Sequence, residues 1–261
     1  MKILFWNLQR KDLTTVSLDL CRHFDVDIFA FAEGQNFDHN LFSIKSYKRL
    51  KSLSNIVLYT KYSNSIIKVV DDGARYCSVL ITTPVNGRIL ICFVHMISAL
   101  HSSNEARVIE SQTLMSNILA IRERENLDHI ILCGDFNQNP YDSGVIAAAC
   151  FNATGDRLVA AKMKRKVLGS TYSYFYNPMW RFYGAKSRPY GTYFHKSSDH
   201  VVVNWNILDQ FIFSASLLDS ISDEDIHIVT EADKHKLVRK DGNIDYKRYS
   251  DHLPILMTSN I

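Results

Sequence analysis

The chain has 261 residues, 46% of them hydrophobic and 22% charged, which is enough apolar material for a substantial core and ordinary for a soluble globular protein. Its net charge of +3 neither requires nor excludes a polyanionic partner, because binding to nucleic acid depends on where the basic residues lie. The five scattered cysteines (Cys21, Cys77, Cys92, Cys133 and Cys150) show no paired zinc spacing, and Cys92 and Cys133 sit inside apolar runs as small core residues rather than as parts of a disulfide framework.

The N-terminal apolar run of MKILFWN is too short for the hydrophobic region of a signal peptide. No segment approaches the length that spans a membrane, so a cytoplasmic location and no membrane partner are expected. No internal repeat or Pro/Gly/Ser-rich linker interrupts the chain, and residues 1–261 are expected to form one domain. Lys2 to Trp6 reads as a short buried strand. Leu13, Val16, Leu20 and Phe24 then recur at helical spacing behind Asp12, which has the chemistry of a cap. Asp27 to Ala32 is a second apolar strand and stops at Glu33. Asn55–Thr60, Ser65–Val70, Cys77–Thr83 and Arg88–Val94 are β-rich, the last ending in His95. Ser102-Ser103-Asn104-Glu105 has the spacing of a capping box, and a helix is predicted from it to Glu125, with Val108, Met115, Ile118 and Leu119 as its inner stripe. Ile130–Cys133, Phe211–Phe213 and Leu253–Leu256 complete the predicted strands. Many strands with few helices between them imply an α/β sandwich, two mixed sheets packed face to face with helices outside. A doubly wound parallel sheet would need more regular β–α alternation.

Polar residues mark the ends of these apolar runs: Asn7 after Trp6, Glu33, His95, Asp135 with Asn137, Asp209, and Asp251 with His252. Taken singly, each has a plain structural reading. Asn137 suits a turn, Asp135 a strand-end cap, Glu33 a solvated strand end and His95 a core histidine. If the strands pack as two sheets, however, their ends can converge on one rim. Carboxylates and carboxamides gathered there suit a hard divalent cation, and a histidine beside a carboxylate suits general acid–base work. Hydrolysis of a phosphate ester is the chemistry that uses such a set.

The stretches FWN, FAEGQ, FVH, CGDFNQNP, LDQFIFS and YSDHLPI, in this order, resemble the endonuclease/exonuclease/phosphatase superfamily of DNase I-like proteins. The resemblance runs from position 5 to about position 256, and GDFN and SDHLP together are its specific part. It implies a four-layer α/β sandwich and a Mg²⁺- or Mn²⁺-dependent hydrolase. By motif, Asn7 would touch metal or phosphate, and Glu33 would be the principal metal ligand. Asp135 would orient the attacking water, and Asn137 would hold phosphate or metal. Asp209 would pair with His252, Asp251 would be a further metal ligand, and His95 would be a second active-site histidine. Two positions depart from the family pattern: Gln9 stands where some members have an acid, and Gln210 follows Asp209 in place of an aromatic residue.

Residues 171 to 195 hold ten aromatic residues interspersed with Arg181, Lys186 and Arg188, downstream of the basic run Lys162–Lys166. Lys45, Lys48, Arg49 and Lys51 form a second basic stretch. Aromatics among cations suit a nucleic-acid surface, so Arg181, Lys186 and Arg188 are expected to meet substrate. The leading expectation is a DNA endonuclease with no obligate protein partner. The alternatives are a phosphatase or phosphodiesterase of a nucleotide, inositol phosphate or lipid headgroup, and a non-catalytic binding member of the same fold.

Overall fold

A computed structural model of the chain describes residues 1–43 and 47–261; Lys45 of the second basic stretch lies outside them. The strands form two large mixed sheets. One has six strands in the order Ile226–Ile228, Ile255–Thr258, Lys2–Asn7, Ile28–Ala32, Val57–Thr60 and Lys48–Leu50. The other has seven, in the order Ile67–Gly73, Tyr76–Thr83, Gly87–His95, His129–Asp135, Asp209–Ser214, Phe175–Tyr176 and Ala153–Thr154.

Alternation along the strands builds the layers. Ile3 and Phe5 point into the core between the sheets, where they join Ile91, Phe93, Ile131, Cys133 and Phe211. Leu4 and Trp6 point the other way, onto a layer with Leu18, Leu20 and Cys21 of the Thr14–His23 helix. In the second sheet Ile130 and Leu132 face outward, against Leu114, Met115 and Ile118 of the Asn104–Glu125 helix. The central strands are therefore apolar on both faces, which is why they read as unbroken apolar runs. Burying side chains of this size contributes about 1.5–3 kcal/mol apiece, and these central residues are almost fully excluded from solvent.

The long helix runs from Asn104 to Glu125, and its cap is Ser103, whose hydroxyl accepts from the Ala106 N–H at 3.2 Å. Its buried stripe is Leu114, Met115, Ile118 and Ile121, whereas Leu119 is 39% exposed. Leu119 follows Ile118 by one residue, about 100° around the helix, which carries it off the inner face. The cap of the first helix is Leu13 rather than Asp12, which stands one residue earlier with its carboxylate accepting from the Thr14 N–H and hydroxyl. No helix among the described residues is long and apolar enough to cross a membrane.

Candidate active site

Strand direction decides which residues meet. Lys2–Asn7 and Ile28–Ala32 run parallel, so Asn7 lies opposite Ala32 and Glu33 follows at the same end. In the other sheet Gly87–His95 and His129–Asp135 also run parallel, with His95 opposite Asp135. Asp209–Ser214 runs antiparallel to its neighbour, and its first residue pairs with Asp135. The Ile255–Thr258 strand is antiparallel to Lys2–Asn7, so the residues before it, Asp251 and His252, come to the same rim. C-terminal ends of parallel strands and N-terminal ends of antiparallel ones thus line one cleft of about 500 Å³, bordered by Asn7, Glu33, His95, Asp135, Asn137, Asp251 and His252.

The Asn7 side-chain amide bridges the two sheets. Its nitrogen donates to Asp135 Oδ2 at 3.0 Å and to Glu33 Oε1 at 3.5 Å, and its oxygen accepts from the Gln9 N–H at 3.0 Å. That last bond orients the amide with its NH₂ toward the carboxylates, so Asn7 stands in a donor orientation. His95 Nε2 lies 3.6 Å from Glu33 Oε1 and 3.9 Å from Asp135 Oδ2. The buried Asp135 also accepts from the Asn137 N–H at 2.9 Å. Asn137 spends one side-chain N–H on the Met96 carbonyl at 2.8 Å, while Arg107 donates to the Asn137 carbonyl at 3.1 Å. Glu33 and Asn137 hold positive φ angles of 52° and 50°, a conformation uncommon for Glu and readily adopted by Asn.

His252 is buried and its Nδ1 lies 2.8 Å from Asp209 Oδ2, which leaves Nε2 without a protein partner among the described residues. Burial by itself disfavours the charged imidazole, but the Asp209, Asp135 and Asp251 carboxylates outweigh it and raise the His252 pKa to about 10. The pair is clamped by residues that sequence reasoning missed. Thr192 Oγ1 accepts from the Asp209 N–H, Ser250 Oγ accepts from the His252 N–H and donates to the Asn7 carbonyl, and Trp6 Nε1 donates to the His252 carbonyl. Thr192 carries no spacing signal, and Ser250 and Trp6 stand inside the SDHLP and FWN stretches without a role the motif assigns.

Gln210 is fully buried: it accepts from Asn177 at 2.6 Å and donates to the Gln138 carbonyl at 2.5 Å, so the departure at this position is a structural amide. Gln9 lines the cleft and serves it through its backbone N–H. Arg181, Lys186 and Arg188 are exposed and lie outside the residues that line the cleft. The Arg181 guanidinium donates to the Ile226 carbonyl and lies over the Phe182 ring, and Arg188 donates to Asn243 Oδ1 at 3.0 Å. Most aromatics of this segment pack inward: Phe175 and Tyr176 are buried strand residues and Phe194 sits against Trp205, but Tyr193 does reach the cleft.

No family model matches the chain, and no curated protein matches it by sequence. By structure, it is similar to the human Nocturnin catalytic domain with bound sulfate, with a TM-score of 0.58 and 14% identity over 100% of this chain and 94% of that one. An AP endonuclease from Archaeoglobus fulgidus superposes with a TM-score of 0.58 and 12% identity over 100% of both chains. A 3′ phosphatase, NExo, from Neisseria, bound to a product DNA hairpin, gives 0.56 and 12% over 100% of both. The fold is that of the endonuclease/exonuclease/phosphatase (DNase I-like) proteins. Identities this low speak for the DNase I-like fold alone, and the chemistry rests on the cleft itself.

A DNase I-like fold implies a divalent cation at this rim, and the donor set fits one. Glu33, Asp135 and Asp251 place carboxylate oxygens on one cleft. Among the described residues, the lysine or arginine nearest these carboxylates is the exposed Arg10, 3.7 Å from Glu33. Asp135, Asp209 and His252 each offer a ligand atom within 4.8 Å of the others, and Glu33 and Asp251 border the same cleft, a carboxylate and imidazole set of the kind that holds a divalent cation.

Proposed function

We propose that this chain is a divalent-metal-dependent phosphodiesterase acting on nucleic acid, with DNA cleavage as an endonuclease the leading reading. The observation that carries it is the meeting of the Asp209–His252 pair with Asn7, Glu33, His95 and Asp135 at one rim. The similar structures support the substrate class, since NExo is described with a DNA hairpin product and a zebrafish TDP2 with a single-strand DNA product.

In this reading Glu33 and Asp251, with Asp135 beside them, would hold a Mg²⁺ or Mn²⁺ ion, which would supply charge neutralisation to the phosphoryl oxygens. The other roles fall to the chain's own groups. Asp209 holds His252 in one orientation and favours its charged form, so the Nε2–H faces the phosphate as a hydrogen-bond donor. Asp135, fixed by two donors, orients the attacking water. His95 and the remaining Asn137 side-chain groups border the same cleft, where they can meet the phosphate.

Plasmid and single-stranded oligonucleotides incubated with Mg²⁺ or Mn²⁺ should be cut, and chelator should stop the reaction. Asp135→Ala and His252→Ala should each lose at least about 100-fold in kcat with folding intact. Absence of cleavage on every DNA and RNA tested would remove the nuclease reading. The cleft, at about 500 Å³, also has the size of a nucleotide site, which favours a small phosphoester as the second reading. Phosphate release from nucleotides without polymer cleavage would select it, and activity unaffected by both alanine variants would instead support a binding role for this cleft or a different catalytic site.

A further inference from the structure

The segment YFHKSSDHVVVNWN folds back on itself, Tyr193–Phe194 pairing antiparallel with Trp205–Asn206. The His195 N–H donates to the Asn204 carbonyl at 2.6 Å, and the Asn204 side-chain amide donates to the His195 carbonyl at 3.1 Å. Beneath the loop, Phe194 and Tyr190 pack on the Trp205 ring with centroids 5.1 Å and 6.4 Å away. The base is anchored, and the far side of the loop stands beside the cleft.

Three consecutive valines there, Val201, Val202 and Val203, are 75%, 36% and 48% exposed and line the same cleft as His252. Leu100, 86% exposed, lines it too. Four exposed aliphatic side chains on the lining of an otherwise polar cleft offer an apolar wall to whatever the cleft holds. Tyr193 adds a flat element, its ring 5.0 Å from the His252 ring and stacked on His195 at 6.5 Å and 18°.

The charges of the cleft say what kind of group this lip suits. Glu33, Asp135, Asp142, Asp199 and Asp251 line it against one arginine, Arg107, which already donates to Asn137 and Asn104. Among the described residues that line the cleft Arg107 is the one lysine or arginine, so a long phosphate backbone finds no track of them here. A planar, uncharged ring next to the reacting phosphate finds both an aromatic face and an apolar wall.

We propose that Tyr193, His195, Leu100 and Val201–Val203 form a subsite for an unpaired nucleobase attached to the phosphate that is cleaved. The proposal rests on the phosphodiesterase reading and narrows its substrate to strand ends and single strands. The test is calorimetric binding, in MnCl₂, of thymidine 5′-monophosphate against deoxyribose 5-phosphate, which carries the same phosphate without the ring. The wild type should bind the thymidylate at least about tenfold more tightly, and the exposed-loop variant Val201→Ser/Val202→Ser/Val203→Ser should lose most of that preference. Equal binding of the two ligands by the wild type, or a preference that survives in the variant, would overturn it. This readout needs no turnover: a base preference in a protein that cleaves no phosphoester would sink the phosphodiesterase reading and leave the subsite standing. Cleavage of duplex interiors as fast as single strands by the wild type would sink the narrowed substrate class.

Discussion

At His252, burial pulls against the charge that three nearby carboxylates favour, and the carboxylates win. A histidine whose folded-state pKa lies above its free-chain value contributes stability that is full below about pH 6.5 and is lost as pH rises through about 10. Replacing Asp209 by Asn removes the partner held at 2.8 Å. The Tm gap between wild type and Asp209→Asn should therefore be widest near pH 6 and close toward pH 10, as thermal melts across that range will show. Turnover of the variant should fall by about 100-fold or more, with KM little changed, because the imidazole loses its orientation and charge; unchanged kcat would contradict the pair. The pairing of Asp209 with His252 was legible in the sequence through SDHLP and LDQFIFS. Thr192, Ser250 and Trp6, which hold the pair in place, were not, because a single hydroxyl or indole acquires its role only from what the fold sets beside it.

At the scale of elements, the parallel pairing of Gly87–His95 with His129–Asp135 sets the site, and Gly134 makes it possible. Its φ is +145°, and a Cβ there would lie 2.1 Å from the Val94 carbonyl oxygen. Because backbone must shift to relieve that clash, Gly134→Ala should cost roughly 3 kcal/mol, a fall in Tm of about 6–12 °C. Gly169 makes a control, since its φ is +84° but a Cβ would meet open space. Gly169→Ala should cost about 1 kcal/mol. Equal Tm losses in the two variants would show that the close approach to Val94 is not what demands glycine. The long apolar strands and the long helix were readable from composition and periodicity. Ala153–Thr154, Phe175–Tyr176 and Ile226–Ile228 were not, because two- and three-residue strands are defined by their neighbours rather than by a pattern of their own.

At the scale of the molecule, the two sheets meet at a rim rich in carboxylates, and ligand binding to that rim should stabilise the whole fold. A cation bound only by the native state raises stability by about 2.7 kcal/mol at a hundredfold excess over Kd, or a Tm shift of about 5–11 °C. Mn²⁺ titrated against the wild type should raise Tm on this scale, and Glu33→Gln should abolish most of the shift. A wild-type Tm indifferent to Mn²⁺ and Mg²⁺ at millimolar concentration would remove the proposed metal role of Glu33, Asp135 and Asp251. The aromatic and basic segment at 171–195 teaches the complementary lesson. Its composition suggests a substrate face; in the fold Arg181 and Arg188 are exposed while also bonding Ile226 and Asn243, and of the ten aromatics Phe175 and Tyr176 are buried and seven of the others half-buried.

The sequence by itself determined the sandwich and named the polar residues at its strand ends, because two-sided burial writes continuous apolar runs and a carboxylate or amide that breaks such a run stands out. Only the tertiary structure decided that those ends lie on one side. It also decided that the Asn7 amide faces the carboxylates and that the valines at 201–203 line the cleft while the arginines at 181 and 188 lie outside its lining. Strand direction, register and loop path are set by contacts between residues far apart in the chain, and no local pattern records them.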